Sequence, residues 1–296
     1  MPNTLNSVAS KFTTRLDNVV EAASVTSDLN INGDLVGEVN GNGEVKIAKL
    51  SMQGLADYSR ADGFKSGDIT MNWETVKLAH DRGREFAIDV MDDEEREMIV
   101  SANIMAEFAR TEVVPEVDAT RFAALAKAAD GAKVEAELNA ADAALDAVLA
   151  GEEHMEGLGV NLAECILYVS PKVKTLLRKA QSWRISNGDG QVDTNLAMFD
   201  SMKMVTVPAG RFYTAIDLKN DTAGGFGKKS SEGKDINFMI VHPSCCQAIQ
   251  KHEKLRYFAP DVNQKKDAHL WQYRLFHDLF VFDNKKGLIY LHDAGK

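Results

Sequence analysis

The chain has 296 residues, of which 45% are hydrophobic and 26% are charged, the proportions of an ordinary folded protein with material for a substantial core. Its formal net charge of −10 argues against a protein whose whole surface binds nucleic acid, because neutralising phosphates requires an excess of Lys and Arg. Three cysteines are too few and too odd in number for a disulfide framework, and they favour a reducing, cytosolic setting.

The N-terminal third is predicted to be extended and rich in turns. Residues 1–30 are rich in Ser, Thr and Asn, lack the apolar segment of a signal peptide, and are expected to form an arm that is poorly anchored by itself. A first strand is predicted at 44–53 after a segment rich in Gly and Asn. Residues 70–90 then alternate as one strand, longer than the roughly 3–10 residues of most strands. Residues 31–90 therefore predict a projecting hairpin or loop.

A long helix is predicted to follow. From residue 92 to about residue 129, apolar residues recur at helical spacing, and Pro115 predicts a kink or a break with a fresh start. Residues 134–156 contain seven acids and no Lys or Arg, and they predict an amphipathic acidic helix. Its apolar stripe is formed by Leu138, Ala141, Leu145, Val148 and Leu149.

The rest of the chain predicts mixed short elements. Residues 163–170 predict a buried strand, and Ser170 is the expected N-cap of a basic helix over 171–184. Short strands and a flexible Gly-rich loop follow, and His242 is expected to begin another short helix. The C-terminus predicts a strand, a turn and a final strand. The fold class predicted is α+β, with β-segments far apart in sequence. No apolar run approaches the roughly 20 residues of a membrane span.

Two loops resemble ligand-binding motifs only in part. The run TAGGFGKKS at 222–230 lacks the first glycine of a phosphate loop, since Thr222 stands there. The run at 187–200 spaces its acids as a calcium loop does, but Val192 and Met198 replace the required Gly and Glu. Flexible or polar turns account better for both.

Two other clusters were candidates for catalysis. Glu152 to Glu156, with His154, could ligate a divalent metal, but the spacing is not that of a metal motif and a solvated helix end accounts for it. Cys245 could be a nucleophile with His242 at i, i+3, but no supporting motif surrounds them. We predict no enzyme, no catalytic residue, no cofactor and no metal. A cytosolic hydrolase or transferase at one of these clusters is the remote alternative.

The long hairpin region resembles a known family. The specific matches are Gly54-Leu55, Asp57-Tyr58, Arg60, Gly67-Asp68, Trp73-Glu74-Thr75, Asp81-Arg82-Gly83-Arg84, Ile88-Asp89, Val114-Pro115-Glu116 and Asp118. Together with the looser segments VSPKVKTLL, VPAGRFYT and HPSCCQAIQKHEKLRYF, they resemble the major capsid proteins of tailed bacteriophages, which have the Hong-Kong-97-like capsid fold. The order of these segments covers nearly the whole chain.

The resemblance implies a domain order and a function. The domains expected are an N-terminal arm (1–30), an extended loop and long strand (31–90), a spine helix of the peripheral domain (91–129), an axial domain (130–255) and C-terminal strands that return to the peripheral domain beside the long helix (256–296). The chain is expected to assemble into hexamers and pentamers of an icosahedral head shell, located in the virion and assembled in the host cytoplasm. The alternative is the shell of an encapsulin-like nanocompartment.

The resemblance also implies partners. The shell encloses double-stranded DNA without sequence-specific binding, and a portal occupies one vertex. The short arm at 1–30 implies a separate scaffolding protein, and a decoration protein is a further partner of the family. No membrane and no cofactor are implied. Lys46, Lys49 and Lys65 lie in or near the loop, but we do not predict cross-linking between subunits.

Charged residues on the apolar face of the long strand mark the expected subunit contacts. Even positions of the strand carry Val76, Leu78, Phe86, Ile88 and Val90, and the same face carries His80, Arg82 and Arg84. Burying an unpaired charge costs several kcal/mol. We therefore expect both arginines to contact a neighbouring subunit, with intrachain pairing to Asp or Glu beside the spine helix as the alternative. The strand itself is expected to be shared between the hairpin and the sheet beside that helix. The full set of interface candidates is Tyr58, Arg60, Phe64, Lys65, Trp73, Arg82, Arg84 and Glu85. The acidic and basic helices are a further candidate pair across a subunit boundary.

Overall fold

The computed structural model describes residues 24–30, 44–58, 60, 64–90, 105–129, 131–181, 198–263 and 266–295. The elements combine long and short helices with four separate sheets, which confirms the predicted α+β class. Within these residues, no helix is both long and apolar enough to cross a membrane.

A two-stranded hairpin forms the first described sheet. Strand β1 (Glu44–Met52) runs antiparallel to β2 (Ile69–Lys77), and Glu44 lies opposite Lys77. The base of the connecting loop is closed by Gln53, whose backbone N–H donates to the carbonyl of Asp68 at 3.4 Å. Neither strand pairs with a third strand among the described residues. The strand predicted at 44–53 is present as β1 and forms a hairpin with β2, while the projection of this hairpin from the fold stays a prediction.

The long alternating segment is divided between two sheets. It is interrupted after β2 by Leu78 and Ala79, and β3 (His80–Asp89) begins a second sheet. That sheet has the order β11 (Cys246–Phe258), β12 (Ala268–Val281), β3. Leu78 is buried against a small cluster under β12, so the interruption fixes the hairpin to the sheet. The expectation of a segment shared between hairpin and sheet is confirmed, although it forms two strands rather than one.

A long helical segment packs across this sheet. Residues 105–108 are helical, Ala109–Val113 form a π-helical turn, and α1 continues over Val114–Ala128. Pro115 neither breaks nor restarts the helix; the wider π-helical turn precedes the proline, whose ring and missing N–H disturb an ordinary α-helix. The segment buries Met105, Ala109, Val113, Val114 and Val117 against Trp271, Tyr273 and Leu275 of β12. The predicted start of the helix lies outside the described residues.

A six-stranded mixed sheet forms the second half of the fold. Its strands are β4 (Lys133–Glu135), β5 (Ile166–Val169), β6 (Met198–Phe199), β7 (Met202–Thr206), β10 (Ile236–Val241) and β13 (Ile289–Asp293). Their order is β4–β13–β10–β5–β7–β6. Helices cover both faces, which is why every residue of β5 and β10 is buried and why, apart from Asn237 in β10, their sequences are apolar.

Different helices cover the two faces of this sheet. On one face lie α2 (Ala141–Gly157) and α3 (Pro171–Gln181), which bury Val148, Met155, Val173 and Leu177. Gly151 permits the close approach of α2, since a Cβ there would lie 2.8 Å from Ile240. On the other face, Phe122 and Leu125 of α1 pack against Tyr168, Met239, Ile289 and Leu291. Helix α1 therefore contributes to the cores of both large sheets.

Three predicted elements differ from the structure. The acidic helix begins at Ala141 rather than at 134, because β4 pairs in parallel with β13, and Leu149 of its predicted apolar stripe is exposed. The helix expected after His242 is only the 3₁₀ turn Pro243–Cys245. The chain then becomes strand β11, because its backbone pairs with β12 over nearly its whole length. The 255/256 domain boundary expected from the resemblance therefore falls inside β11.

The two C-terminal strands do not form a hairpin. The 3₁₀ segment Asp283–Leu288 leads the chain from β12 into the six-stranded sheet, where β13 lies between β4 and β10. Both strands contact α1, β12 through the first half of the helix and β13 through its second half.

Candidate functional site

The hairpin carries an unusual share of exposed apolar surface. Among the described residues, eleven large apolar side chains are exposed, and six of them belong to the hairpin and its loop: Met52, Leu55, Tyr58, Phe64, Ile69 and Met71. The rings of Tyr58 and Phe64 contact each other with centroids 4.9 Å apart. Exposed apolar patches of this kind mark surfaces that bind another protein.

The predicted interface residues fall into two groups. Tyr58, Arg60, Phe64 and Lys65 lie together, exposed, in the loop of the hairpin. The side chain of Trp73, on β2, lies outside the described part of the chain. The others lie on β3, where Glu85 is exposed and accepts a hydrogen bond from Gln272 of β12 at 2.6 Å. The structure thus brings four of the eight candidates together at the hairpin tip.

Arg82 is held by contacts within its own chain. Its Nε lies 2.6 Å and its Nη2 3.2 Å from the two carboxylate oxygens of Glu116 on α1, a bidentate pair that is largely buried. Its Nη1 donates to Asn220 Oδ1 at 2.9 Å, and its Nη2 donates to the carbonyls of Lys219 and Gly225. The intrachain pairing weighed as the alternative is therefore present for Arg82, and contact with a neighbouring subunit stays a prediction.

Arg84 holds the same Gly-rich loop. Its guanidinium donates to the carbonyls of Thr222, at 2.7 Å, and Ala223, at 3.3 Å. Gly224 has φ +67°, and a Cβ at this position would lie 2.7 Å from Arg84 Nη1, so only glycine fits without displacing the arginine. The expectation of a flexible loop is wrong here, since β8 (Ile216–Leu218) and β9 (Phe226–Lys228) flank a turn fixed by two arginines.

The loop, β3, β12 and α1 enclose a cleft. It has a volume of about 530 Å³, and its apolar lining includes Phe86, Phe108 and Tyr273. The ring of Phe108 meets that of Phe86 edge-on with centroids 4.9 Å apart. His277 lies at its buried side, where burial and the neighbouring His80 lower the pKa of the imidazole to about 3. The cleft is thus walled by aromatic rings and carries Arg82 and Arg84 at its edge.

A buried polar network ties the N-terminal segment to α1. The carboxylate of Asp118 accepts hydrogen bonds at 2.7 Å from both Ser24 Oγ and Thr26 Oγ1, and its Oδ2 lies 2.8 Å from Arg211 Nη1. Arg121 donates to the carbonyl and hydroxyl oxygens of Thr26. The expectation of a poorly anchored arm is therefore wrong for residues 24–30. The sequence contained no signal for this network, because its partners are far apart along the chain.

His242 and Cys245, which were considered as a nucleophilic pair, do not have the arrangement that a hydrolase would need. His242 Nδ1 lies 2.8 Å from Ser244 Oγ, and its Nε2 lies 3.2 Å from Glu164. Cys245 is fully buried, and its hydrogen bond with Cys246, together with burial, raises the pKa of its thiol far above the usual range. A nucleophilic cysteine requires the opposite shift, because the thiolate is the reactive form.

The acidic cluster on α2 is only partly solvated. Glu153 and Glu156 are exposed, but Glu152 is buried, and its Oε1 has no hydrogen-bond partner. Burial and the nearby carboxylates of Asp200 and Glu156 raise the pKa of Glu152 to about 7. In the described part of the chain, no three His, Cys, Asp or Glu side chains are grouped so that they could hold a metal ion.

Comparison of the fold with known proteins identifies capsid structures. No family model and no curated protein matches the sequence. The asymmetric unit of the bacteriophage PhiM1 mature capsid matches with a TM-score of 0.62 and 15% identity, over 86% of this chain and 83% of that chain. The capsid of cyanophage P-SCSP1u matches with a TM-score of 0.66 and 11% identity, over 91% and 88%.

A virus-like particle from Pyrococcus furiosus is also similar, with a TM-score of 0.54 and 10% identity over 96% of this chain and 99% of that one. At these identities the similarity is one of fold. The chain has the fold of phage capsid proteins, of the Hong-Kong-97 type, which confirms the fold expected from the sequence.

Proposed function

We propose that this chain is the major capsid protein of a tailed bacteriophage. It assembles into hexamers and pentamers of the icosahedral head shell that encloses the double-stranded DNA genome, and it resides in the virion. The observation that carries this proposal is the match to two phage capsid structures over 86% and 91% of the chain. A match of this extent leaves at most 14% of the chain outside it, so the similarity is not confined to one substructure.

The hairpin supports an assembling function. Met52, Ile69 and Met71 of its two strands are exposed, and an isolated two-stranded hairpin is at best marginally stable in water. Laid across a neighbouring copy, the same side chains are removed from water. We propose that Tyr58, Arg60, Phe64, Lys65 and Trp73 make these contacts, and that Arg82, Arg84 and Glu85 extend them onto β3.

The domain order follows from the same proposal. Residues 1–30 form the N-terminal arm, and 31–90 form the extended loop with the first long strand. Residues 91–129 form the spine helix of the peripheral domain, 130–255 the axial domain, and 256–296 the strands that return to the peripheral domain. The packing of β12 and β13 against α1 supports this return.

The chain acts through association rather than through chemistry. We propose a separate scaffolding protein, a portal at one vertex and a decoration protein as partners. The DNA is held without sequence-specific contacts, and the net charge of −10 fits a container that does not trap the genome as it is packaged. The buried thiol of Cys245 gives no reason to assign an enzymatic activity.

Expression of the chain tests the proposal. We expect closed shells, tubes or rings in negative-stain micrographs, and a matching fast-sedimenting species in the ultracentrifuge. A variant in which 53–68 is replaced by a two-residue turn is the matched control, because it keeps β1, β2 and both sheets but lacks the hairpin tip; it is expected to stay unassembled. A wild-type chain that remains a monomer at high concentration, even with co-expressed phage head proteins, contradicts the proposal.

A shell with a different cargo is the second candidate. It is supported by the similarity to the virus-like particle from Pyrococcus furiosus, which covers 96% of this chain. Two phage capsids match with higher TM-scores, 0.62 and 0.66 against 0.54, and favour the phage head. Extraction of particles from the native source separates the two, since a phage head yields double-stranded DNA and a protein compartment yields protein.

A further inference from the structure

Two neighbouring helices of the six-stranded sheet expose opposite charges. On α2, the residues Asp142, Asp146, Glu153 and Glu156 recur at spacings of four, seven and three and are all exposed; we name them the acidic stripe. On α3, Lys172, Arg178 and Lys179 are exposed; we name them the basic stripe. The helices pack against each other through apolar residues that include Val148 and Leu177, so both stripes face away from this contact.

The fold leaves the acidic stripe uncompensated. Among the described residues, no cation forms an ion pair with any of its four carboxylates, although α3 lies beside α2. Like charges one helical turn apart, such as Glu153 and Glu156 near the C-terminus of α2, destabilise a helix that is left alone. The stripe therefore carries a cost in the single chain that a cationic surface on another molecule would remove.

Glu152 is an independent sign of this excess negative charge. It is 5% exposed, its Oε1 has no hydrogen-bond partner among the described residues, and the carboxylates of Glu156 in the acidic stripe and Asp200 in the turn joining β6 and β7 are near enough to act on it. A buried carboxyl without a partner, beside two further carboxylates, is costly in a folded chain. A cation brought to this end of α2 by a second molecule would reduce that cost.

From these observations we infer that the acidic stripe of one copy docks against the basic stripe of the next copy. The occupant is a second copy of this chain because the basic stripe is opposite in charge to the acidic one and lies on the same layer of the fold. Because two different surfaces meet, the contact is heterologous and generates a ring when its rotation closes. The inference rests on the proposed function and adds to it the two surfaces through which each copy contacts the next around the ring.

Charge reversal tests this pairing in the full-length chain. The basic-reversed variant carries Lys172→Glu, Arg178→Glu and Lys179→Glu, and the acid-reversed variant carries Asp146→Lys, Glu153→Lys and Glu156→Lys. Each is expected to raise the protein concentration needed for assembly at least about tenfold, since like charges across an interface are strongly unfavourable. A chain with all six changes restores opposite signs and is expected to assemble as the wild type does. Lys127→Glu, exposed on α1 outside both stripes, is the control and is expected to change nothing.

A mixture of the two reversed variants gives a sharper readout. Each variant then finds a complementary surface only on the other variant, so copies must alternate around a ring. Rings of six accommodate alternation and rings of five do not. The mixture is therefore expected to form hexameric rings, sheets or tubes in micrographs but no closed shells.

The outcomes separate the inference from the proposed function. Thermal melting by circular dichroism checks that each variant is folded, and Lys172→Gln with Arg178→Gln replaces any variant that is not. Reversed variants that assemble at the wild-type concentration overturn the inference and leave the proposed function intact. A folded six-change chain that fails to assemble also overturns it, because the stripes then do not pair with each other. Failure of the wild type itself to assemble overturns the proposed function.

Discussion

The substitution Asp118→Ala removes the centre of the buried network that fixes residues 24–30 to α1. Asp118 is fully buried and accepts hydrogen bonds from Ser24, Val25, Thr26 and Arg211. Its removal leaves the guanidinium of Arg211 without its carboxylate. We expect the N-terminal segment to detach from the core, which would also expose Leu29.

The size of the effect follows from the burial of the pair. Removing one partner of a buried ion pair costs about 3–5 kcal/mol, because the other charge stays buried without compensation. Arg211 keeps only a small exposed fraction of its side chain, 18%, so little of this cost is recovered by water. Against a typical stability of about 5–15 kcal/mol, this loss is at least about a fifth of the free energy of unfolding. Asp118→Asn keeps the shape but loses the charge, and it is expected to fall between wild type and Asp118→Ala.

Urea unfolding, followed by circular dichroism at a protein concentration too low for assembly, measures this loss. The matched control is Glu107→Ala on the same helical segment, because Glu107 forms an exposed ion pair with Arg110. Solvent and salt screen such pairs, and we expect an unchanged midpoint. An Asp118→Ala variant that loses less than about 1 kcal/mol would refute the argument, because a buried pair would then behave as an exposed one.

Three further changes test other parts of the structure. Gly224→Ala is expected to lower the free energy of unfolding in urea by about 1–2 kcal/mol, because residue 224 has φ +67° and the added Cβ would displace Arg84. Gly225→Ala is the control, since residue 225 also has a positive φ but its Cβ would meet no described atom within 4 Å, and it should cost less. Burial raises the folded-state pKa of Glu152 to about 7, above its usual 4.5, so the contribution of Glu152 to stability should fall as pH rises from about 4.5 to 7, by up to about 3 kcal/mol. The lowered pKa of His277 gives the opposite slope below about pH 6.5, so the measurement is the difference between wild type and Glu152→Gln at each pH. The variant should gain stability relative to wild type by this amount as pH rises, and a difference that does not change with pH would count against it. Phe64→Ser, at an exposed site, should reduce assembly and leave the unfolding midpoint of the monomer unchanged; the reverse pattern would remove the hairpin tip from the interface.

The sequence predicts the elements whose pattern is set locally. The alternation over 70–90, the N-cap at Ser170 and the largely apolar β5 and β10 depend on neighbouring residues, and the structure contains all of them. Strand β11 could not be predicted in this way. Its sequence has helix-forming residues such as Gln247, Ala248 and Lys251, and only the long-range pairing with β12 makes it a strand.

The contacts of Arg82 and Arg84 with the Gly-rich loop could not be predicted from the sequence for the same reason. The sequence shows Arg82 and Arg84 on an apolar face and shows a Gly-rich loop near residue 222, but more than a hundred residues separate them. Nothing in local periodicity connects the two features. The arginines therefore led us to expect a partner on another subunit or an acidic residue beside the spine helix, and the loop led us to expect flexibility. In the fold the two features are in contact. The backbone carbonyls of the loop accept hydrogen bonds from the guanidinium groups of Arg82 and Arg84, and these bonds hold the loop in place.

The contacts of Arg82 also fix the base of the hairpin. Its guanidinium contacts Glu116 on α1 and the loop between β8 and β9, while its backbone pairs with Leu275 of β12. Only Leu78 and Ala79 separate β3 from the hairpin, and Leu78 is buried under the same sheet. The base of the hairpin is therefore fixed to α1 and to a loop of the second half of the fold within a few residues. An arm that binds a neighbouring subunit needs a rigid base, because otherwise part of the binding free energy is lost in ordering it. Arg82 and Arg84 therefore hold the base of the hairpin in place as well as stabilising the sheet that contains β3.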